Sequence, residues 1–132
     1  MMSIYDDLQA IKGSGAPIDK LVPVTIEKLG KIRAEFGAVP TDYTSFLADV
    51  GAGELGSAAY MLYDGLVEPA DVYGDSSGLD GILLFGDDFQ GLNAGFDIRD
   101  WRVVEIDPTN MHVNPVALDF QSFIRNRIRV LA

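Results

Sequence analysis

ILLFGDDFQGLNAGFDIRDWRVVEIDPTNMHVNPVA, residues 82–117, holds short apolar or alternating runs at 82–85, 92–96, 102–106 and 112–117, parted by GDDFQG, by Asp100 and by DPTN. The separators are turn chemistry. Glycine supplies backbone states that other residues avoid, and Asp and Asn side chains accept hydrogen bonds from nearby amides. Parallel neighbours need a crossover of about a dozen residues, and these gaps are too short for one. The spacing predicts an antiparallel meander, and a further run at 59–63 brings it to about five to six strands.

On either side of the sheet the apolar period becomes helical. Ile26, Leu29, Ile32, Ala34 and Phe36 predict a helix over 25–36, with Gly37 just past its end. Pro40 opens a second helix, in which Tyr43, Phe46, Leu47 and Val50 form one continuous stripe that Gly51 terminates. A brief helix is expected over 69–73. Asp119 caps a last helix with Phe120, Phe123, Ile124, Ile128 and Leu131 on one side, and Arg125, Arg127 and Arg129 near its C-terminus suit the macrodipole. Two N-terminal helices, a sheet and a C-terminal helix packed on it predict one α+β domain over 1–132. Before them, Ser3 and Asp6 read as a capping signal for a short helix carrying Tyr5, Leu8 and Ile11, broken by Gly13, Gly15 and Pro17. Residues 1–22 thus read as a preface, with 1–15 expected to be dispensable.

The 132 residues carry twenty Asp and Glu against ten Lys and Arg, for a net charge of −10. Twelve of those acids and none of the bases lie in residues 34–98. Such a field repels phosphate backbones and anionic headgroups while attracting basic surfaces, which argues against direct nucleic-acid or membrane binding. An acidic surface that only keeps the protein soluble is the plainer alternative. The chain has no cysteine, which excludes disulfide frameworks, thiolate metal sites and cysteine nucleophiles. No apolar run approaches the roughly 18 residues of a membrane span, and the first residues lack a basic, apolar leader, so a cytoplasmic protein is expected.

Motifs that suggest chemistry have structural readings beside them. Gly51, Gly53 and Gly56 spell Gly-x-Gly-x-x-Gly, but they follow a helix and precede a strand, and a dinucleotide fingerprint needs the reverse order. A helix end and loop fits them better. Asp87 and Asp88 read as turn acceptors; as calcium ligands they lack the EF-hand series and its terminal Glu. His112, the single histidine, sits in an expected strand and would have to serve any imidazole relay or metal site alone. Twenty acids give close carboxylate pairs by chance, so glycosidase-type pairing is not readable from spacing. No catalytic, metal or cofactor site is expected, and a non-enzyme is the favoured reading.

IRAEFGAVPTDYTSFLADVGAGEL, at 32–55, resembles the opening signature of the SUKH superfamily, the domain of fungal cell-wall regulators that is also widespread in bacteria. ILLFGDDFQGLNAGFD resembles its central strand, Phe-Gly-Asp turn and following strand, and VALDFQSFI its closing strand and Phe-x-x-Phe helix. The resemblance covers residues 32–124 in family order and leaves out the first 22. It departs where the family usually has an Asn before the glycine pair, since Val50 precedes Gly51 here. What the resemblance implies is a protein-binding module: in bacteria an immunity protein that neutralises a polymorphic toxin, such as a nuclease, and in fungi a regulatory scaffold. A carboxylate-dependent hydrolase is a third alternative. The residues add a mechanism, because an acidic segment can dock in a basic cleft in place of phosphate. Candidate contacts are Glu54, Asp64, Glu68, Asp71, Asp75, Asp80, Asp87 and Asp88. Tyr73 and Trp101, aromatic rings with polar or acidic neighbours, are the candidate anchors.

Overall fold

The computed structural model describes residues 4–74 and 78–131. Pro40, fixed at φ −60°, leads into α3 (Thr41–Asp49), whose Tyr43, Phe46 and Leu47 are fully buried together with Val50 beyond its end. Preceding it, α2 (Ile26–Phe36) starts where Thr25 Oγ1 accepts the Lys28 amide at 3.2 Å. Its expected stripe is only partly used. Leu29 and Ile32 are buried, but Ile26 is 85% exposed.

Six strands form one antiparallel sheet in chain order, the expected meander: β1 (Gly53–Leu55), β2 (Tyr60–Val67), β3 (Ile82–Asp87), β4 (Asn93–Asp97), β5 (Arg102–Ile106) and β6 (Val113–Ala117). The sequence reading missed β1, which it took as loop; three residues containing a glycine carry no visible alternation. Gly51 is demanded by packing. Its φ is +124°, and a Cβ there would lie 2.5 Å from the Val22 carbonyl carbon. The glycine run joins α3 to β1, and Gly51 within it allows the close backbone passage.

Successive strand residues face opposite ways, so each strand feeds two layers. Leu62, Leu83, Phe85, Ala94, Phe96 and Val103 join the main core under the helices. Ile82, Leu84, Val104 and Ile106 form a smaller core on the other face with Leu79, and Tyr73 of α4 (Pro69–Tyr73) packs against it. That double cover leaves β4 buried at every position.

The C-terminal helix α5 (Phe120–Leu131) lies on the main face, as expected. Asp119 Oδ1 accepts the Ser122 amide at 2.8 Å, and Asp42 of α3 accepts the Gln121 amide at 2.9 Å, so two carboxylates satisfy amides that a helix start leaves unpaired. Phe120 is fully buried with its ring 5.1 Å from Tyr43, 5.2 Å from Phe85 and 5.7 Å from Phe46.

The preface is not separate. Tyr5, ahead of α1 (Asp6–Ile11), is fully buried edge-on against Phe46 at 5.1 Å, and its hydroxyl donates to the Asp42 carbonyl at 2.8 Å. Leu8, Ile18 and Leu21 are buried beside it, Asp7 pairs with Arg125 at 2.8 Å, and Lys12 donates to the Val50 carbonyl at 2.6 Å. Ile11 is exposed, and the Ser3 capping signal lies outside the described residues.

Two stability measurements follow from this packing. Phe120→Ala is expected to cost about 3–5 kcal/mol in urea unfolding. Deleting residues 1–15 should lower the midpoint clearly, since each fully buried large side chain contributes about 1.5–3 kcal/mol; an unchanged midpoint would mean that Tyr5 and Leu8 add nothing to the core.

Candidate interaction surface

Several of the twelve acids in 34–98 already have work inside the fold. Glu54 pairs with Lys20 at 2.8 Å and Asp64 with Lys28 at 3.8 Å, both lysines coming from the basic N-terminal stretch. Asp97, nearly buried, takes Arg99 through two nitrogens at 2.9 and 2.5 Å, and that pairing holds its carboxyl below the usual range. Asp42 is spent on α5. Glu68, Asp71 and Asp80 are exposed and, among the described residues, have no cation within salt-bridge distance. Asp75 lies outside the described residues.

Asp87 and Asp88 do act as turn acceptors. Asp87 Oδ1 accepts the Phe89 amide at 2.8 Å, while Asp88 Oδ1 accepts Gln90 at 2.8 Å and Leu92 at 3.0 Å. Asp87 also ends a polar chain across the second face of the sheet. The Tyr73 hydroxyl donates to Asn93 Oδ1 at 2.9 Å, Asn93 Nδ2 donates to the Tyr63 hydroxyl at 3.0 Å, and Tyr63 donates to Asp87 Oδ2 at 2.5 Å. Burial first, then the bond to Asp87, pushes the Tyr63 phenol well above its ordinary value; burial and the Asp87 charge do the same for Tyr73.

The candidates do not share one patch. Tyr73, Asp87 and Asp88 are tied together through this chain. Asp80 is at the far end of β3, beside the Gly81 carbonyl that accepts the Ile98 amide. Trp101, in the β4–β5 turn, packs its ring on Phe96 at 5.6 Å on the helix-covered face. It cannot anchor the same contact as Tyr73, which lies on the other face. His112 is exposed just before β6, not within a strand.

The sequence reading overlooked two apolar side chains at the Asp87 end. Phe89 is 46% and Met111 36% exposed, and both hold the left-handed backbone, at φ 65° and 60°. Their turns, 87–92 and 107–112, abut: a Cβ at Gly91 would meet Pro108 Cγ at 3.6 Å. Asp107 Oδ1 accepts the Thr109 amide at 2.8 Å, and its carbonyl accepts Met111 at 2.7 Å. Among the described residues Asp87, Asp88 and Asp107 have no cation within salt-bridge distance. The available signal was a large apolar residue inside each polar turn sequence.

Among the described residues no group of three or more His, Asp or Glu side chains is placed to hold a metal, and no helix is long and apolar enough to cross a membrane. Compared with known proteins, the chain matches no family model and no curated sequence.

All five tyrosines have phenols raised above the ordinary value, with burial the largest cause in each. The unfolded chain then loses its phenolic protons first, near pH ~10, so this stability is complete below that pH and is lost as pH rises beyond it. Phenolate absorbance should therefore appear together with the loss of circular dichroism in an alkaline titration. Tyrosines ionising near their ordinary value in an intact fold would contradict the packing described.

Proposed function

We propose that the chain is a protein-binding module without catalysis of its own, which captures a basic partner protein in the manner of the bacterial immunity proteins that the SUKH resemblance implies, in the cytoplasm. The observation that carries this reading is the pair Phe89 and Met111, half-exposed on abutting turns and rimmed by Asp87, Asp88 and Asp107. Apolar anchors that enter a partner's pocket supply most of an interface's affinity, and a charged rim steers the encounter and selects the partner. Three carboxylates without internal cations present to a basic cleft the charge that a nucleic-acid phosphate would, so a toxin acting on nucleic acid is the partner class that fits. Tyr63, backed in turn by Asn93 and Tyr73, holds the Asp87 carboxylate in place from behind.

The test is co-expression with the toxin encoded beside the gene, followed by binding kinetics. The chain should restore growth. Joint replacement of Asp87, Asp88 and Asp107 by Lys should slow association by about tenfold or more at low salt and flatten its salt dependence, since steering acts on the on-rate. Phe89→Ala should speed dissociation. The control Glu27→Lys with Glu35→Lys, on the exposed side of α2, should change little. No rescue of growth, or equal slowing by the control pair, would overturn the reading.

A further inference from the structure

We infer that the cleft between residues 22–28 and β2 binds a small uncharged organic molecule, an apolar body bearing one carbonyl oxygen. The cleft measures about 690 Å³, within the range of about 300–1,000 Å³ that small-molecule sites occupy. Its walls are fastened from behind. Val22 exchanges backbone hydrogen bonds of 2.9 and 3.0 Å with Ala52, and the Val24 amide donates to the Leu47 carbonyl at 2.8 Å. In the facing wall the Tyr63 hydroxyl donates to Asp87 Oδ2 at 2.5 Å and accepts from Asn93 Nδ2 at 3.0 Å, which fixes its ring. Walls set before binding spare a ligand the cost of ordering them.

The shape excludes a polypeptide strand. α2 lies over β2 here, with Ile32 and Lys28 carbons 3.7 Å from where a Cβ at Gly65 would stand, and β2 shifts register between Leu62 and Val67. A covered and bulged edge leaves no straight row of backbone groups for a strand to join. What the cleft offers instead is a concave apolar surface. Val22 is 68% exposed, and Val24, Met61 and Val67 are half-buried in the same lining. Covering such a surface is favourable in proportion to the apolar area removed from water.

Charge and hydrogen bonding select the class of ligand. Among the described residues the charged groups in the lining are Lys28 and Asp64, and they pair with each other at 3.8 Å. The lining therefore carries no net charge, and an ionic ligand would give up water without gaining a counter-ion of its own. One uncharged donor is left. Thr25 Oγ1 accepts the Lys28 amide at 3.2 Å, and among the described residues its own hydroxyl hydrogen has no acceptor. A carbonyl oxygen matches that donor, since it accepts a hydrogen bond without bringing a donor that needs a partner.

The probe is 4-phenylbutan-2-one, titrated into the isotope-labelled full chain and followed by amide NMR. Saturable shifts at 22–28 and 61–67 are expected, with a Kd on the order of 1 mM for a molecule of this size. Two charged analogues of similar shape, 3-phenylpropanoate and 3-phenylpropylammonium, should bind at least about tenfold more weakly. Val22→Glu alters an exposed side chain whose backbone bonds remain, and it should weaken ketone binding about tenfold. Leu118→Glu, equally exposed but outside the cleft, should change nothing. Thr25→Ser should keep the affinity and Thr25→Val lower it several-fold, each checked for native circular dichroism. No saturable shift by about 10 mM ketone overturns the inference. Equal binding of either ion overturns the uncharged class, and equal binding by the Val and Ser variants of Thr25 overturns the carbonyl. Undiminished binding by Val22→Glu, or shifts spread to Phe89, Met111 and Leu118, overturns the site in favour of non-specific apolar contact. No partner protein enters the titration, so its failure and failure of the proposed function are distinguishable.

Discussion

The ring of Phe120 is the point on which three layers converge. It touches Tyr43 and Phe46 of α3 on one side and Phe85 of β3 on the other, and Phe85 in turn packs on Phe96 of β4 at 5.0 Å. Edge-to-face pairs of this kind add about 0.5–1.5 kcal/mol each beyond the area they bury. Their larger effect is geometric, because a close-packed cluster of rigid rings permits one arrangement of α3, α5 and the sheet. Asp42 closes the same joint with polar bonds, since its side chain caps α5 and its carbonyl receives the Tyr5 hydroxyl. The N-terminal segment is thereby fastened to the helix pair at the core's centre.

What was legible in the sequence was whatever repeats within a few residues. The stripe Tyr43, Phe46, Leu47 and Val50 is buried throughout, β5 and α4 have the bounds expected, and the meander order follows from short turns. The stripe of α2 overstates its contacts, because the first turn borders the cleft beside β2 and leaves Ile26 in water. The preface was misread for a related reason. A six-residue helix shows less than two turns of pattern, and what holds it are partners far along the chain, Phe46, Asp42 and Arg125.

Charge was legible as a total but not as a surface. Glu54 and Asp64 stand in a stretch empty of bases, yet Lys20 and Lys28 fold back on to them, and Asp97 is taken by Arg99, the first residue beyond the stretch. Asp42 belongs to a helix cap. Of the other described acids, Glu68 and Asp71 stand at α4, Asp80 just before β3, and Asp87 and Asp88 in the β3–β4 turn, where they also hold their own turn amides. Phe89 and Met111 belong to no apolar period, and the turn chemistry of GDDFQG and DPTN gives no sign that a ring and a thioether stand exposed beside it.

The meander itself sorts the connections. In an antiparallel sheet taken in chain order, alternate turns emerge at the same end, so the β3–β4 and β5–β6 turns lie together while the β4–β5 turn emerges opposite. Asp107, Pro108 and Met111 were therefore bound to be neighbours of Asp87, Asp88 and Phe89, and Trp101 was bound to be distant from them. The same rule sends the chain after β2 to the far end, and α4 returns across the second face, where Tyr73 packs on the smaller core and donates to Asn93. A partner that grips the 87–92 turn must therefore also meet 107–112, whereas contact with Asp80 or Trp101 would require it to span the length of the sheet.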